Sequence, residues 1–242
     1  MSEDMSPPRE VFVPVPALTP PCALVELWAV RHGESTANAV YADPATARRT
    51  EPLPGLDRDV PLSRRGVAQA TALGGWLAAR DPGLLVVCSP YLRARETWRL
   101  MAEAAGLPPG DALVDDRLRD REQGVFALHP PAAVRALDPR EAERRARVGT
   151  WYHRPPGGEA LTDVMVRVGQ FLTELSRAAT GRRVLLVAHD AVVVAVRQYF
   201  GGIGHPVPDR LPPVPNASVS HWVSESGRLG LVDWAGVDHL TR

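Results

Sequence analysis

The sequence contains no lysine: all 28 basic residues are arginine, and 28 acidic residues bring the formal net charge to zero. A GC-rich coding sequence accounts for most of that bias. The balanced charge offers no basic face for DNA, RNA or an anionic membrane. Any anion site here must use the planar guanidinium fork instead of an ammonium point charge. Cysteine is almost absent. Cys22 and Cys88 lie far apart without metal-ligand spacing, which excludes a disulfide framework and suits a reducing cytoplasm. No apolar run reaches the about 18 residues of a membrane span. The N-terminus lacks a basic stretch followed by an apolar one, so no signal peptide is expected. These absences predict a cytoplasmic protein without nucleic-acid or membrane partners, of unknown oligomeric state.

What is present suits one well-packed globular domain: 242 residues, 45% apolar and 23% charged. Residues 1–21 carry six prolines (Pro7, Pro8, Pro14, Pro16, Pro20 and Pro21), which forbids a regular helix and predicts an extended or disordered arm before a single domain over 22–242. Residues 201–217, rich in Gly and Pro, read as a surface loop.

Strands and helices alternate in between. Leu24–Val30, Leu84–Cys88 and Arg183–Ala188 are short apolar runs of the kind buried in parallel sheets, and Val114–Leu118 is a weaker one. Helical periodicity marks Gly66–Arg80, with Val67, Ala70, Leu73 and Leu77 on one face. It also marks Arg93–Ala105, Ala191–Phe200 and Leu161–Ala179, the last with Val164, Val168, Phe171, Leu172 and Leu175 inward. Pro130–Val148 reads as one or two charged helices, and Ser218–Val223 with Leu229–Trp234 as a closing hairpin. No internal repeat is visible. The pattern predicts a three-layer α/β/α sandwich with a mostly parallel sheet, in which ligands bind beyond the carboxyl ends of the strands.

Residues capable of chemistry stand at those ends: Arg31-His32-Gly33-Glu34-Ser35, Ser89-Pro90-Tyr91-Leu92-Arg93, Arg119-Asp120-Arg121-Glu122 and His189-Asp190. A parallel sheet brings the four groups to one edge. Two His, at least two Arg and several carboxylates suit phosphoryl transfer, which needs positioning and charge stabilisation above all. Arg31 and Arg93 can each give paired bonds to phosphate oxygens. A neutral imidazole can attack phosphorus, nearby Arg charges favour its neutral form, and a carboxylic acid can protonate the leaving oxygen.

Arg31-His32-Gly33-Glu34-Ser35 followed by Asn38 resembles the signature of the histidine phosphatase superfamily, in its phosphoglycerate mutase-like branch. Pro61-Leu62-Ser63 with Gly66, Ser89-Pro90-Tyr91-Leu92-Arg93-Ala94 with Thr97, Arg117-Leu118-Arg119-Asp120-Arg121-Glu122 with Gly124, and Val187-Ala188-His189 resemble further family segments in order. The resemblance covers roughly residues 24–223. It implies that His32 takes the phosphoryl group, that Arg31, Asn38, Arg93 and His189 bind phosphate, and that Asp120 stands where the family usually has a donor Glu. It implies no metal and no cofactor, and a small phosphorylated substrate.

Two positions depart from the family pattern. Asp120 is one methylene shorter than Glu, with Glu122 a rival donor two residues on. Asp190 replaces a usual Gly. The superfamily's acid-phosphatase branch puts its donor Asp there, but a helix N-cap is the plainer reading of Asp190. Asp120 stands first as donor, then Asp190 as a cap, with Glu122 last. Glu34 shapes the pocket or faces solvent. A metal site of His32, His189 and Asp190 is opposed by the flanking arginines. His129, His153, His205, His221 and His239 read as surface or structural, and Arg144, Arg145 and Arg147 as solvated helix charges. Residues 125–156 are the candidate cap insertion that selects substrate. The expected activity is a phosphatase acting on small phosphorylated metabolites. The alternatives are phosphoglycerate mutase-type transfer and a catalytically silent phospho-ligand binder. The missing lysine and the segment after Gly124 favour hydrolysis.

Overall fold

Leu27, Trp28, Ala29 and Val30 are all buried, as in a strand covered on both faces. They belong to β1 (Glu26–Arg31), the middle of a sheet in a computed structural model that describes residues 18–80, 83–207 and 213–241. The other strands among the described residues are β2 (Leu85–Cys88), β3 (Leu113–Val114), β4 (Arg183–Ala188), β5 (Val219–Glu225) and β6 (Arg228–Gly236). Their spatial order is β3-β2-β4-β1-β5-β6. β1 to β4 run parallel, and β5 and β6 close the far edge as an antiparallel hairpin.

Alternate side chains of the central strands feed two cores. Trp28, Val30, Leu185 and Val187 pack with α2 (Arg64–Ala78) and α3 (Leu92–Ala104). Leu27, Ala29, Val184 and Leu186 pack with α6 (Leu161–Ala178) and α7 (Asp190–Gly201). This is the expected three-layer sandwich. The chain leaves β1 towards the α2–α3 face, and leaves neighbouring β4 into α7 on the other face. Adjacent strands with diverging exits open a crevice between their carboxyl ends, and Arg31 lies opposite Ala188 in register there. The next residues are His32 and His189.

Several sequence expectations change. The weak strand at 114–118 shrinks to β3, two exposed residues. Asp115 then accepts the Arg117 N–H and bends Asp116–Leu118 into a 3-10 turn. Val67 is 42% exposed, so it lies off the buried stripe of Gly66, Ala70, Leu73, Gly74 and Leu77. Thr36–Ala42 forms a further helix, α1, set by a capping box between Ser35 and Asn38 that apolar periodicity does not reveal. Pro130–Val148 resolves into α4 (Val134–Leu137) and α5 (Pro139–Tyr152). Asp138 caps α5, and Pro139 takes the first-turn position that needs no N–H. The expected loop at 201–217 begins with the last residue of α7, and Ile203 pairs with Leu18 in an isolated bridge. The proline-rich arm lies outside the described residues up to position 17. Among the described residues no helix is long and apolar enough to cross a membrane.

Candidate active site

The loop after β1 turns so sharply that glycine is required. A Cβ on Gly33 would sit 2.5 Å from the Gly66 carbonyl oxygen, and one on Gly66 would sit 2.0 Å from that of Glu34. This backbone contact seats His32 at the mouth of the crevice. His32 is 2% exposed, and its Nδ1 lies 2.7 Å from the Gly33 carbonyl oxygen. A carbonyl only accepts, so Nδ1 carries the proton and Nε2 keeps its lone pair. Burial, then the His189, Arg93 and Arg31 charges, push the His32 pKa well below its ordinary value. The ring is therefore neutral at neutral pH, with a lone pair on Nε2.

His189 faces it, with ring centroids 5.0 Å apart, and is fully buried. Ser89 Oγ lies 2.8 Å from its Nε2 and also accepts the Tyr91 N–H. The hydroxyl proton is thus free to bond Nε2, which leaves N–H on Nδ1. That atom lies 3.3 Å from Asp120 Oδ2 but out of line for a hydrogen bond. Burial holds the His189 pKa down, against the pull of Asp120.

Arg93 is 4% exposed between two carboxylates. Its Nη2 donates to Asp120 at 2.8 Å, and its Nη1 to the Asp57 backbone oxygen at 2.6 Å and carboxylate at 3.2 Å. Burial disfavours ionisation of Asp120, but His189 and the Arg93 guanidinium hold its carboxyl well below the usual carboxylate range. Arg31 donates to the Val214 carbonyl at 2.6 Å, and its buried Nε has no hydrogen-bond partner among the described residues. Asn38 turns its oxygen to the Ser35 and Asn216 N–H groups, and the residue borders the cavity.

These residues line one cavity of about 620 Å³. Arg31, His32, Asn38, Arg93, Asp120 and Asp190 all border it, and His189 stands behind His32. Asp190 is the first residue of α7, which starts one residue earlier than expected, with His189 at the N-cap position. Asp190 Oδ1 accepts the Ala191 N–H at 2.8 Å, so its carboxylate serves a first-turn amide of α7, and its Oδ2 lies 3.9 Å from Arg31 at the cavity. Glu122 is tied to the Tyr91 hydroxyl at 3.0 Å and does not line the cavity. Glu34 accepts from Ser63 and pairs with Arg65, at the start of α2 instead of the pocket. Arg144 pairs with Glu141, as a helix charge does, but Arg145 borders the cavity. His153 is buried against Glu141 at 2.7 Å.

The three side chains whose donor atoms lie within 4.8 Å of one another are His32, Asp120 and His189, not His32, His189 and Asp190. Arg93, 2.8 Å from Asp120, sets a fixed positive charge against a cation there. Asp57 and Asn216 are site residues that the sequence did not single out, because no motif flags them on the short segments that tertiary packing brings in. Arg145, read from the sequence as a solvated helix charge, reaches the cavity from α5.

Residues 27–236 match the family model described as histidine phosphatase superfamily (branch 1). The chain belongs to that superfamily. It is 29% identical over 90% of its length to the whole of "Probable phosphoglycerate mutase GpmB" of Enterobacter sp. (strain 638). Among solved structures it resembles a mycobacterial glucosyl-3-phosphoglycerate phosphatase, 27% identical, with a TM-score of 0.67 over 88% of this chain and 99% of that one. It shares its fold with Bacillus stearothermophilus YhfR, at a TM-score of 0.72 and 24% identity over 90% of this chain and 100% of that one. A histidine phosphatase of this branch is a phosphoryl-transfer enzyme acting on small phosphorylated substrates.

Proposed function

We propose that the chain is a phosphomonoesterase that hydrolyses small phosphorylated metabolites through a phosphohistidine on His32. The observation that carries this reading is a pair of buried nitrogens with no hydrogen-bond partner among the described residues, Arg31 Nε and His189 Nδ1, beside a neutral, lone-pair-bearing His32 Nε2. Buried donors left unpaired are costly, and a phosphoryl group satisfies both. Arg31, Arg93, the Asn38 amide and His189 hold its oxygens. His32 Nε2 attacks phosphorus as the bond to the ester oxygen breaks, and Asp120 gives that oxygen a proton. Water then attacks the phosphohistidine, with the Asp120 carboxylate taking its proton, and inorganic phosphate leaves.

The low proton affinity of Asp120 in the free site follows from its proximity to His189 and Arg93. An incoming phosphate takes the Arg93 N–H groups and brings negative charge beside Asp120, and both changes raise its proton affinity. Hydrolysis of p-nitrophenyl phosphate tests the reading. Activity should survive EDTA and vanish in His32→Ala. Loss with EDTA alone would require a metal.

A second reading, phosphoglycerate mutase-type transfer, is favoured by one feature besides the mutase-named relatives. Arg121 and Arg145 line the same cavity, and no described carboxylate pairs with either. They suit a second anionic group on the substrate, such as a carboxylate. Phosphorus NMR of 3-phosphoglycerate separates the readings: appearance of the 2-isomer means transfer, and free phosphate means hydrolysis.

A further inference from the structure

Asp120 belongs to no helix or strand. A segment without a ladder must find partners for its backbone elsewhere. Here they come from one guanidinium. Arg167, on α6 and 8% exposed, donates from Nη1 to the carbonyls of Arg117 at 2.6 Å and Arg119 at 2.9 Å, and from Nη2 to that of Asp120 at 3.0 Å. Its Nε and Nη2 also grip the two oxygens of Glu159, each at 2.9 Å.

Glu159 completes the clamp from the other side. Its carboxylate accepts the Glu122 N–H at 3.1 Å and the Arg119 side chain at 2.9 Å, and its backbone N–H donates to the Glu122 carbonyl at 2.9 Å. Its carbonyl accepts Arg121 Nε at 2.7 Å. The two segments touch so closely that a Cβ on Gly124 would lie 2.1 Å from the Pro156 oxygen. Neither Arg167 nor Glu159 lines the cavity.

We propose that Arg167, paired with Glu159, is a positioning residue that sets where the Asp120 carboxyl stands over the leaving oxygen. The proposal rests on reading Asp120 as the proton donor. Arg167 is planar and forked, so it meets several carbonyls and a carboxylate at once, and a lysine there would not. Its loss displaces the donor without touching the phosphate cradle of Arg31, Arg93 and His32.

The test uses the full chain and a series of aryl and alkyl phosphates of rising leaving-group pKa. Good leaving groups depart without a proton, and poor ones need it. A general acid contributes 10²–10⁴-fold, so Arg167→Gln should lose about threefold in kcat/KM on p-nitrophenyl phosphate and about thirtyfold or more on an alkyl phosphate. Vanadate affinity should not fall, since Asp120 competes with the anion for Arg93. Arg167→Lys should fall between the two. A loss equal for all leaving groups, a parallel loss of vanadate affinity, or no loss would each overturn the proposal. Asp120→Asn is measured alongside. A steep series there with a flat Arg167→Gln series sinks only the clamp, whereas a flat Asp120→Asn series sinks the donor assignment and the clamp with it. If Arg167→Gln fails to fold because Glu159 loses its main partner, Arg167→Gln/Glu159→Gln removes both charges and gives the same readout.

Discussion

At the scale of single residues, the site is organised around competition for Arg93. Asp57 and Asp120 both hold this guanidinium in the free site, and a substrate phosphate must share or displace them. Asp57 also binds Arg93 through its backbone oxygen, so Asp57→Asn should keep the geometry and remove one competing charge. Vanadate should then inhibit at least about fivefold more strongly, since ~1 kcal/mol is what two unit charges about 4 Å apart exchange even in bulk water. Unchanged or weaker inhibition would mean that Asp57 is needed to aim Arg93. The sequence reveals Arg31, His32 and His189 because each stands at the end of a buried strand, and Arg93 because it opens the helix just after one, where topology converts sequence position into spatial position. It does not reveal Asp57 or Asn216, because nothing periodic places residues 43–60 or 213–217 over the crevice. Asp190 illustrates the limit of local reasoning. A carboxylate at a helix start is ordinarily read as a cap, and Asp190 does accept the Ala191 N–H, but its second oxygen also stands 3.9 Å from Arg31 at the cavity, which no local pattern reveals.

At the scale of elements, apolar periodicity located α2, α3, α6 and α7, and β4 with its bounds, because these bury wide faces. It failed where burial is slight. α1 is held by Ser35 and Asn38, and β3 is two exposed residues at the sheet edge. Leu73 and Val67 show the difference within one helix. Leu73 is fully buried and Val67 is 42% exposed. Leu73→Ala should cost about 2–5 kcal/mol from lost contacts and the cavity left behind, whereas Val67→Ala should stay within about 0.5 kcal/mol. Urea unfolding compares them, and equal effects would contradict the assigned face of α2. Gly66→Ala carries a different penalty. Its Cβ would collide with the Glu34 backbone, so α2 or the His32 loop must move, and activity should fall by more than stability does. Assays at a temperature where the variant stays folded check this.

At the scale of the whole molecule, burial lowers the pKa of five imidazoles: His32, His153, His189, His221 and His239. Below about 6.5, the ordinary histidine value, the unfolded chain takes up protons that the folded chain refuses. Stability is therefore lost as pH falls from that point. Asp115, Asp120, Glu141 and Glu159, whose pKa values are also lowered, extend the loss to more acidic pH. Thermal melts should show the midpoint falling steadily from about pH 7 downwards, and a flat profile between about pH 7 and 5.5 would contradict the buried, neutral state of these rings. The architecture also separates two duties. Arg31, His32 and His189 stand at the ends of strands fixed by both cores, while Phe126, Leu128, His129, Val134, Arg145 and Thr150 reach the cavity from residues 125–156, outside the sheet. Over evolutionary time the second set is free to change length and sequence without disturbing the first. In descendants of such a chain, which phosphorylated molecule is handled should drift quickly and how its phosphoryl group is moved should hardly drift at all.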